Sequence, residues 1–102
     1  MKYTRDERFI ADYLRLMARE KALFRAAIQR INAAYAQRGD RPIPDWPAEL
    51  RIKRLRRVPG VWEMTWSFSG PDGRATFEFI TIDGELGIRW ERIGDHRIFE
   101  RS

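Results

Sequence analysis

The stretch GVWEMTWSFSGPDGRATFEF, residues 60–79, decides the fold class, because large apolar residues occupy every second position on both sides of a glycine-rich turn. A period of two is typical of half-buried β-strands, and the turn predicts that the two strands pair as an antiparallel hairpin. The residues that share the apolar face are Trp62, Met64, Trp66, Phe68, Ala75, Phe77 and Phe79.

The opposite faces of the two strands coincide as well, since both apolar faces must point at one core. The pattern therefore predicts an uncovered, solvated sheet face that carries Glu63, Thr65, Arg74, Thr76 and Glu78. Arg74 opens the second strand directly after the turn glycine. On pattern alone it is either a surface ion-pair partner of Glu63 or Glu78, or a cation aimed at an anionic ligand.

The region before the hairpin has helical character, because residues 4–38 contain neither glycine nor proline and their apolar residues recur at helical spacing. Thr4 is the predicted N-cap, with Glu7 as its capping-box partner, and Gly39 is the predicted C-cap. The polar run at 18–21 favours two helices over one continuous helix. The apolar positions are Phe9, Ile10, Tyr13, Met17, Leu23, Phe24, Ala27, Ile28, Ile31, Ala34 and Tyr35.

The connection GDRPIPDWPAEL, residues 39–50, holds three of the five prolines and is predicted to be ordered and extended, with Ile43 and Trp46 attached to the body. After the hairpin, a second turn at Asp83–Gly84 leads into further strand pattern. Helices followed by antiparallel strands predict a single α+β domain over residues 1–102. Its architecture is an N-terminal helical hairpin packed on a roughly four-stranded antiparallel sheet.

Composition limits the chemistry that this chain can perform. It has no cysteine, which excludes disulfides, cysteine nucleophiles and thiolate metal sites, and its single histidine argues against a histidine-based metal cluster. We therefore expect no metal and no cofactor. The start MKYTRDERF lacks the apolar run of a signal peptide, and no segment approaches the roughly 20 apolar residues of a membrane span. These features predict a cytoplasmic protein with no membrane partner.

The charge pattern points to an anionic partner. The formal net charge is +5, and the segment RIKRLRR, residues 51–57, holds five basic residues in seven, with Glu63 as the next acid. Arginine forks match phosphate oxygens, so this segment is a predicted nucleic-acid contact, and a solvated, self-repelling loop is the alternative. His96 is the one side chain that titrates near neutrality unperturbed, and Arg74 is a cation suited to a phosphorane.

Four motifs in order resemble one known family. They are a basic segment with leucine (Lys53–Leu55), PG-x-W-E (Pro59–Glu63), DGRATF (Asp72–Phe77) and IG-x-H-x-I-F (Ile93–Phe99). With the helical hairpin before them, they resemble the RelE/ParE superfamily of bacterial type II toxin–antitoxin toxins, most closely its RelE-like members, over about residues 5–100.

The resemblance implies a ribosome-dependent, metal-free mRNA endonuclease that represses translation, in which the ribose 2′-OH attacks the adjacent phosphate. Arg74 would stabilise the phosphate, His96 would transfer a proton, Glu63 is a candidate base, and Phe99 would stack on a base. The implied partners are mRNA on the ribosome and a cognate antitoxin protein. The basic residues that would contact RNA are Lys53, Arg54, Arg56, Arg57 and Arg97.

Two other functions stay open on the sequence. Glu63 and Thr65 occupy strand positions where some nucleases of this family carry lysines. Their presence favours a non-catalytic, ParE-like binder that inhibits DNA gyrase. The third possibility is an inert basic RNA-binding domain of the same fold.

Overall fold

The computed structural model of the chain describes residues 1–66 and 73–95. In chain order its elements are β1 (Lys2–Arg5), α1 (Glu7–Leu14), α2 (Ala18–Ala36), a one-turn 3₁₀ helix (Ala48–Leu50), β2 (Lys53–Arg54), β3 (Trp62–Trp66), β4 (Gly73–Ile82) and β5 (Glu85–Asp95). The predicted α+β class is confirmed. Phe68 and the turn residues 70–72 of the predicted hairpin lie outside the described residues.

The strands form one five-stranded sheet in the order β1-β5-β4-β3-β2. The pairs among β2, β3, β4 and β5 are antiparallel, as predicted, but β1 lies parallel to β5, with Tyr3 opposite Ile88. The sheet is therefore mixed, with a fifth strand that the sequence analysis missed. Four polar-rich residues carry too short a pattern to be recognised as a strand, and β1 is defined only by its partner.

The helical hairpin is confirmed, but all three predicted helix boundaries are wrong. α2 ends at Ala36 with Gln37 as its C-cap, rather than at Gly39. Thr4 lies in β1, and α1 begins after Asp6, so Thr4 and Glu7 form no capping box. The chain breaks at residues 15–17 rather than at 18–21. The backbone N–H of Met17 donates to the Glu20 carboxylate at 2.8 Å, which makes the polar run the first turn of α2.

The core lies between the helices and one face of the sheet. Ile10 and Met17, predicted to be on the buried stripe, are 40% and 66% exposed. Ile10 follows the buried Phe9 in α1 and therefore points to another face of the helix, and Met17 is the N-cap residue of α2. The buried residues that form this core are Phe9, Phe24, Ala27, Ile31, Leu50, Met64, Trp66, Ala75, Phe77, Ile88, Trp90 and Ile93.

Two connections were predicted from the sequence, the proline-rich segment before the sheet and the turn between β4 and β5. Trp46 stacks on Phe79 with ring centroids 5.6 Å apart, so it attaches the proline-rich segment as predicted. Ile43 does not, since it is 52% exposed. Asp83 and Gly84 both have positive φ, 52° and 79°, as a two-residue hairpin turn between β4 and β5 requires.

A bulge in β5 and one buried carboxylate fix the end of that strand. Thr76 pairs with Arg92 but Phe77 pairs with Trp90, so β5 carries an extra residue there. The β1 pairing stops at Trp90. Beyond it, Asp12 of α1 accepts hydrogen bonds from the Ile93 backbone N–H at 3.1 Å and from Arg92 at 2.7 and 3.2 Å. These hydrogen bonds join α1 to the end of β5, where Gly94 pairs with Arg74 of β4.

Candidate nucleic-acid interface

Arg74 lies on the sheet face opposite the helices, between Thr65 of β3 and Gly94 of β5. Gly94 has no side chain, so β5 places no side chain directly opposite Arg74. The Nε of Arg74 is buried without a hydrogen-bond partner, and within the described ranges the side chain makes no ion pair. Among the described residues, Arg74 is therefore a cation without an anionic partner, and a guanidinium of this kind pairs well with an anion.

The two glutamates predicted as surface partners of Arg74 are taken by other cations. Glu63 lies 3.4 Å from the Lys53 ammonium, measured from Oε1 to Nζ, and Glu78 is ion-paired with Arg89. Both pairs follow directly from register, since Lys53 is opposite Glu63 and Arg89 is opposite Glu78. The ordinary ion-pair interpretation of Arg74 is thus wrong for the described residues.

The polar face is less solvated than the sequence predicted. Glu63, Thr65 and Thr76 are only 7%, 7% and 5% exposed. They stand on interior strands, where longer side chains on the neighbouring strands, such as Lys53 and Arg74, flank them on the same face. The polar residues of the interior strands on this face are therefore buried and do not form a solvated surface.

Farther along the face, Arg89 is surrounded by carboxylates. Its guanidinium contacts Glu78, lies 3.8 Å from Asp6 and 3.9 Å from Glu91. One cation faces three acids at this point, so this end of the face repels phosphate. Among the described residues of this face, the unpaired cation Arg74 therefore lies away from this acidic cluster.

Glu91 gives a pH-dependent prediction. Burial raises the pKa of Glu91 above its ordinary value, and repulsion from Glu78 raises it further. The native chain then binds this proton before the unfolded chain does as the pH falls, so the free energy of unfolding decreases as the pH rises through this range. Glu91→Gln is expected to stabilise the protein at pH 7, on the order of 0.5 kcal/mol.

The gain should shrink toward zero below the ordinary carboxyl pKa of about 4.3, where Glu91 is protonated in both states. Urea unfolding at a series of pH values measures it. Asp40→Asn, at an exposed acid, is the control and should show no such trend. A Glu91→Gln variant less stable than wild type at pH 7 would contradict the prediction.

The basic segment at 51–57 does not present its cations in one row. Lys53 and Arg54 form β2, and adjacent strand residues point to opposite faces. Lys53 lies on the Arg74 face, whereas the Arg54 guanidinium lies 5.3 Å from the Trp62 ring centroid. Arg56 and Arg57 are exposed in the loop after β2, and within residues 1–66 and 73–95 they form no ion pair.

The loop and Arg74 lie at opposite ends of β3. The loop closes through a hydrogen bond from the Leu55 N–H to the Val61 carbonyl at 2.9 Å, next to Trp62, whereas Arg74 pairs with Thr65. Three strand residues separate these points, about 10 Å along the strand. The described cations therefore suit an extended polyanion that runs along β3 better than a single small anion.

Three predicted site residues, His96, Arg97 and Phe99, lie outside the described residues, and their roles stay predictions. Two residues that matter to the site were missed. Asp12 stands between Phe9 and Tyr13 on the apolar stripe of α1, and an acid in such a position needs a buried partner. Gly94 interrupts a strand pattern, which is the usual sign of a close approach to the backbone.

The described part of the chain holds no cluster of three metal-ligating side chains. Neither of its helices has the length and apolar character needed to cross a membrane. What the arrangement can do is bind an anion at Arg74 through charge-assisted hydrogen bonds.

No protein-family model matches the sequence, and no curated protein matches it significantly. Solved structures do match. A double arginine-to-alanine mutant of the E. coli toxin RelE in the free state is 14% identical with a TM-score of 0.56, and the match covers 97% of this chain and 86% of that one.

Two assemblies show the same likeness. The intact E. coli RelBE toxin–antitoxin complex gives a TM-score of 0.55 at 14% identity, with coverage of 92% of this chain and 94% of that chain. The mutant RelE toxin bound to an antitoxin RelBc peptide gives 0.53 at 14% identity, covering 98% and 90%. The chain therefore has a RelE-like toxin fold, as its motifs had indicated.

Proposed function

We propose that this protein is the toxin of a type II toxin–antitoxin system and cleaves mRNA on the ribosome. The observation that carries the proposal is Arg74, a partly buried guanidinium with no carboxylate partner among the described residues, on the sheet face opposite the helices of a RelE-like fold. A buried cation left unpaired is costly unless an anionic ligand uses it.

In the proposed reaction the ribose 2′-OH attacks the adjacent phosphorus, and the bond from phosphorus to the 5′ oxygen breaks. The products are a 2′,3′-cyclic phosphate and a free 5′-OH. Arg74 stabilises the charge that develops on the phosphate oxygens, and His96 transfers a proton. The reaction needs no external nucleophile, so the protein supplies only positioning, charge stabilisation and proton transfer.

Glu63 is the candidate base, but its carboxylate is held by Lys53 at 3.4 Å. A phosphate that binds the Lys53 ammonium would break its ion pair with Glu63. The freed carboxylate then lies on the same sheet face as Arg74, two residues before the position opposite it. Under this proposal, RNA binding itself frees the proton acceptor. Lys53 then has two roles, as a backbone contact and as the group that keeps Glu63 occupied until RNA arrives.

The exposed loop arginines are proposed to bind the RNA backbone, and their removal should be visible in the salt dependence of binding. Each phosphate contact contributes about −0.7 to the slope of log K against log salt for a single strand. Replacing Arg56 and Arg57 with glutamine is expected to weaken binding to single-stranded RNA and flatten that slope by about 1.4. Fluorescence anisotropy over a salt series measures it.

The matched control replaces Arg19 and Arg30, two exposed arginines of α2, with glutamine, and should leave the slope unchanged. Equal slopes for the loop variant and wild type would show that the loop does not contact the RNA backbone.

One observation favours a non-catalytic inhibitor of DNA gyrase. Glu63 and Thr65 flank Arg74 on β3, where a second and third cation would assist phosphate chemistry. A fold of this kind can poison a protein target without cutting RNA. This alternative predicts growth arrest with DNA damage, inhibited supercoiling and intact messages.

The proposal is tested with purified protein in cell-free translation, where mRNA ends are mapped by primer extension. We expect cuts that require ribosomes and fall in a fixed phase of the codon. The parallel gyrase assay should show normal supercoiling. Intact mRNA together with inhibited supercoiling would contradict the nuclease proposal and support the gyrase inhibitor. No effect in either assay would support an inert RNA-binding domain.

A cognate antitoxin protein is the proposed cellular partner. Two of the matching solved structures contain RelE with RelB or a RelB peptide, and the net charge of +5 on this chain favours an acidic partner.

A further inference from the structure

The end of β5 loses one of its two strand neighbours where β1 stops. β1 pairs with β5 as far as Trp90, and the Asp6 N–H donates to the Trp90 carbonyl at 2.9 Å. Among the described strands, only β4 pairs with the residues of β5 that follow. The buried N–H of Ile93 donates instead to the Asp12 carboxylate of α1 at 3.1 Å. A side chain of α1 therefore satisfies a backbone group that a strand partner would satisfy farther back along β5.

The bulge in β5 decides which residue stands opposite Arg74. Trp90 and Ile93 are three residues apart, yet both are buried in the core, because the extra residue shifts the alternation of side chains by one. The same shift places Gly94 opposite Arg74. Without the bulge, Ile93 would stand opposite Arg74, with its large side chain on the polar face. The surroundings of Arg74 therefore depend on the register of this strand end.

Asp12 binds the two residues that fix this register. Its carboxylate accepts hydrogen bonds from the Arg92 side chain at 2.7 and 3.2 Å, in addition to the bond from the Ile93 N–H. Arg92 is the first residue of β5 after the bulge to pair with β4, opposite Thr76, and Ile93 is the next. One carboxylate thus holds a side chain and a backbone group of consecutive residues, which fixes both the position and the rotation of the strand.

The helix that carries Asp12 is itself held by the core. Phe9 is buried and lies three residues before Asp12, so both side chains are on the same side of α1. The Phe9 ring lies 5.9 Å from the Trp90 ring and 5.8 Å from the Phe24 ring of α2, measured between centroids. The position of α1 relative to β5 is therefore set by packed rings, and Asp12 extends that restraint to the strand end.

Stability alone is a weak reason for a buried acid at this position. An apolar side chain of similar volume often stabilises a fold as well as a buried ion pair does. Such a side chain would fill the space between α1 and β5, but it could accept no hydrogen bond from Arg92 or from the Ile93 N–H. The carboxylate therefore supplies a directional restraint that packing by itself does not supply.

We infer that Asp12 is a positioning residue for the Arg74 site, because it holds the bulged end of β5 in the register that puts Gly94 opposite Arg74. The inference rests on the proposed function, since it assigns Asp12 to the same reaction. Asp12 acts through the strand and does not contact the RNA. Loss of its carboxylate is therefore expected to slow the chemical step and to leave the affinity for RNA unchanged.

The test compares Asp12→Ala with Ile31→Ala, a truncation in the core on α2 that should lose a similar amount of stability. Single-turnover cleavage of mRNA on programmed ribosomes is measured at a temperature where unfolding curves show every variant folded. We expect Asp12→Ala to lower the saturating rate about tenfold or more, with the half-saturating concentration within about twofold of wild type. Ile31→Ala should cut at the wild-type rate.

Asp12→Asn is the conservative variant. Its side-chain carbonyl can still accept the hydrogen bond from the Ile93 N–H, so the strand end keeps its backbone restraint. We therefore expect the saturating rate of Asp12→Asn to stay within about threefold of wild type.

Hydrogen exchange of backbone amides, followed by NMR, tests the restraint without any cleavage. The amides of residues 92–94, and those of residues 74 and 75 that pair with this strand end, should exchange at least about tenfold faster in Asp12→Ala than in Ile31→Ala. The amides around the pair Phe79–Ile88, farther from the bulge, should differ by less than about threefold between the two variants.

A slower saturating rate in Asp12→Ala, together with faster exchange confined to the strand end, supports the inference. Equal cleavage rates in Asp12→Ala and Ile31→Ala, or an effect on the half-saturating concentration alone, would overturn it. Equal exchange of residues 92–94 in the two variants would overturn it as well. A wild-type chain that cuts no mRNA contradicts the proposed function instead, and the exchange rates still decide whether Asp12 holds the strand end.

Discussion

Replacing Asp12 with alanine is expected to lower the free energy of unfolding by about 2–4 kcal/mol, a large share of the total for a domain of this size. The Asp12 carboxylate is 8% exposed and accepts three hydrogen bonds, two from Arg92 and one from the Ile93 N–H. Ile93 is 1% exposed, so its N–H would be left buried and unsatisfied. Arg92 is 34% exposed and can rehydrate, which limits the loss.

Asp12→Asn separates the two contributions. The asparagine carbonyl can still accept from Ile93, whereas the charge opposite Arg92 is gone, so we expect a smaller loss of about 1–2 kcal/mol. Urea unfolding followed by tryptophan fluorescence measures both variants. Asp40→Asn, at an exposed acid, should change the free energy of unfolding by less than about 0.5 kcal/mol. An Asp12→Ala protein as stable as wild type would show that water replaces the carboxylate at no cost.

Replacing Arg74 with alanine is expected to slow mRNA cleavage at least about 100-fold, the scale found when one donor to a developing oxyanion is removed. The same change should cost little stability, because Arg74 makes no hydrogen bond or ion pair within residues 1–66 and 73–95 and the unpaired Nε is removed with it. Arg74→Lys keeps the charge but loses the planar fork, so an intermediate rate is expected.

The measurement is single-turnover cleavage of mRNA on programmed ribosomes, with urea unfolding of each variant alongside. Arg30→Ala is the control, since Arg30 lies on α2 and pairs with Glu49 at 3.1 Å, away from the sheet face. It should cut at the wild-type rate. If the Arg74→Ala protein is folded and also cuts at the wild-type rate, the Arg74 guanidinium takes no part in the reaction.

Much of the sheet could be predicted because its signals are local. The alternation from Trp62 to Trp66 and from Ala75 to Phe79, with the turn at Asp83–Gly84, specifies strands, faces and an antiparallel hairpin without reference to the rest of the chain. Register follows from the shared apolar face. The placement of Arg74 on the face opposite the helices is a direct consequence of that pattern.

The partners of the charged residues could not be predicted. The sequence offered Glu63 and Glu78 to Arg74, and both were plausible at strand spacing. The strands β2 and β5 supply Lys53 and Arg89 directly opposite them instead. Lys53 and Arg89 lie directly opposite these carboxylates, whereas Glu63 is only diagonal to Arg74 and Glu78 lies four residues along the same strand, so the direct neighbours take the carboxylates.

The sequence by itself determined the α+β class, the helical hairpin, the strand faces and the basic segment. Each of these depends on the spacing of residues that lie close together in the chain. The tertiary structure alone decided the parallel pairing of β1 and the hydrogen bond from the Ile93 N–H to Asp12 across 81 positions. Each of these joins segments that lie far apart in the chain. No local period encodes such a contact, and only the packed sheet shows which charges are left without a partner among the described residues.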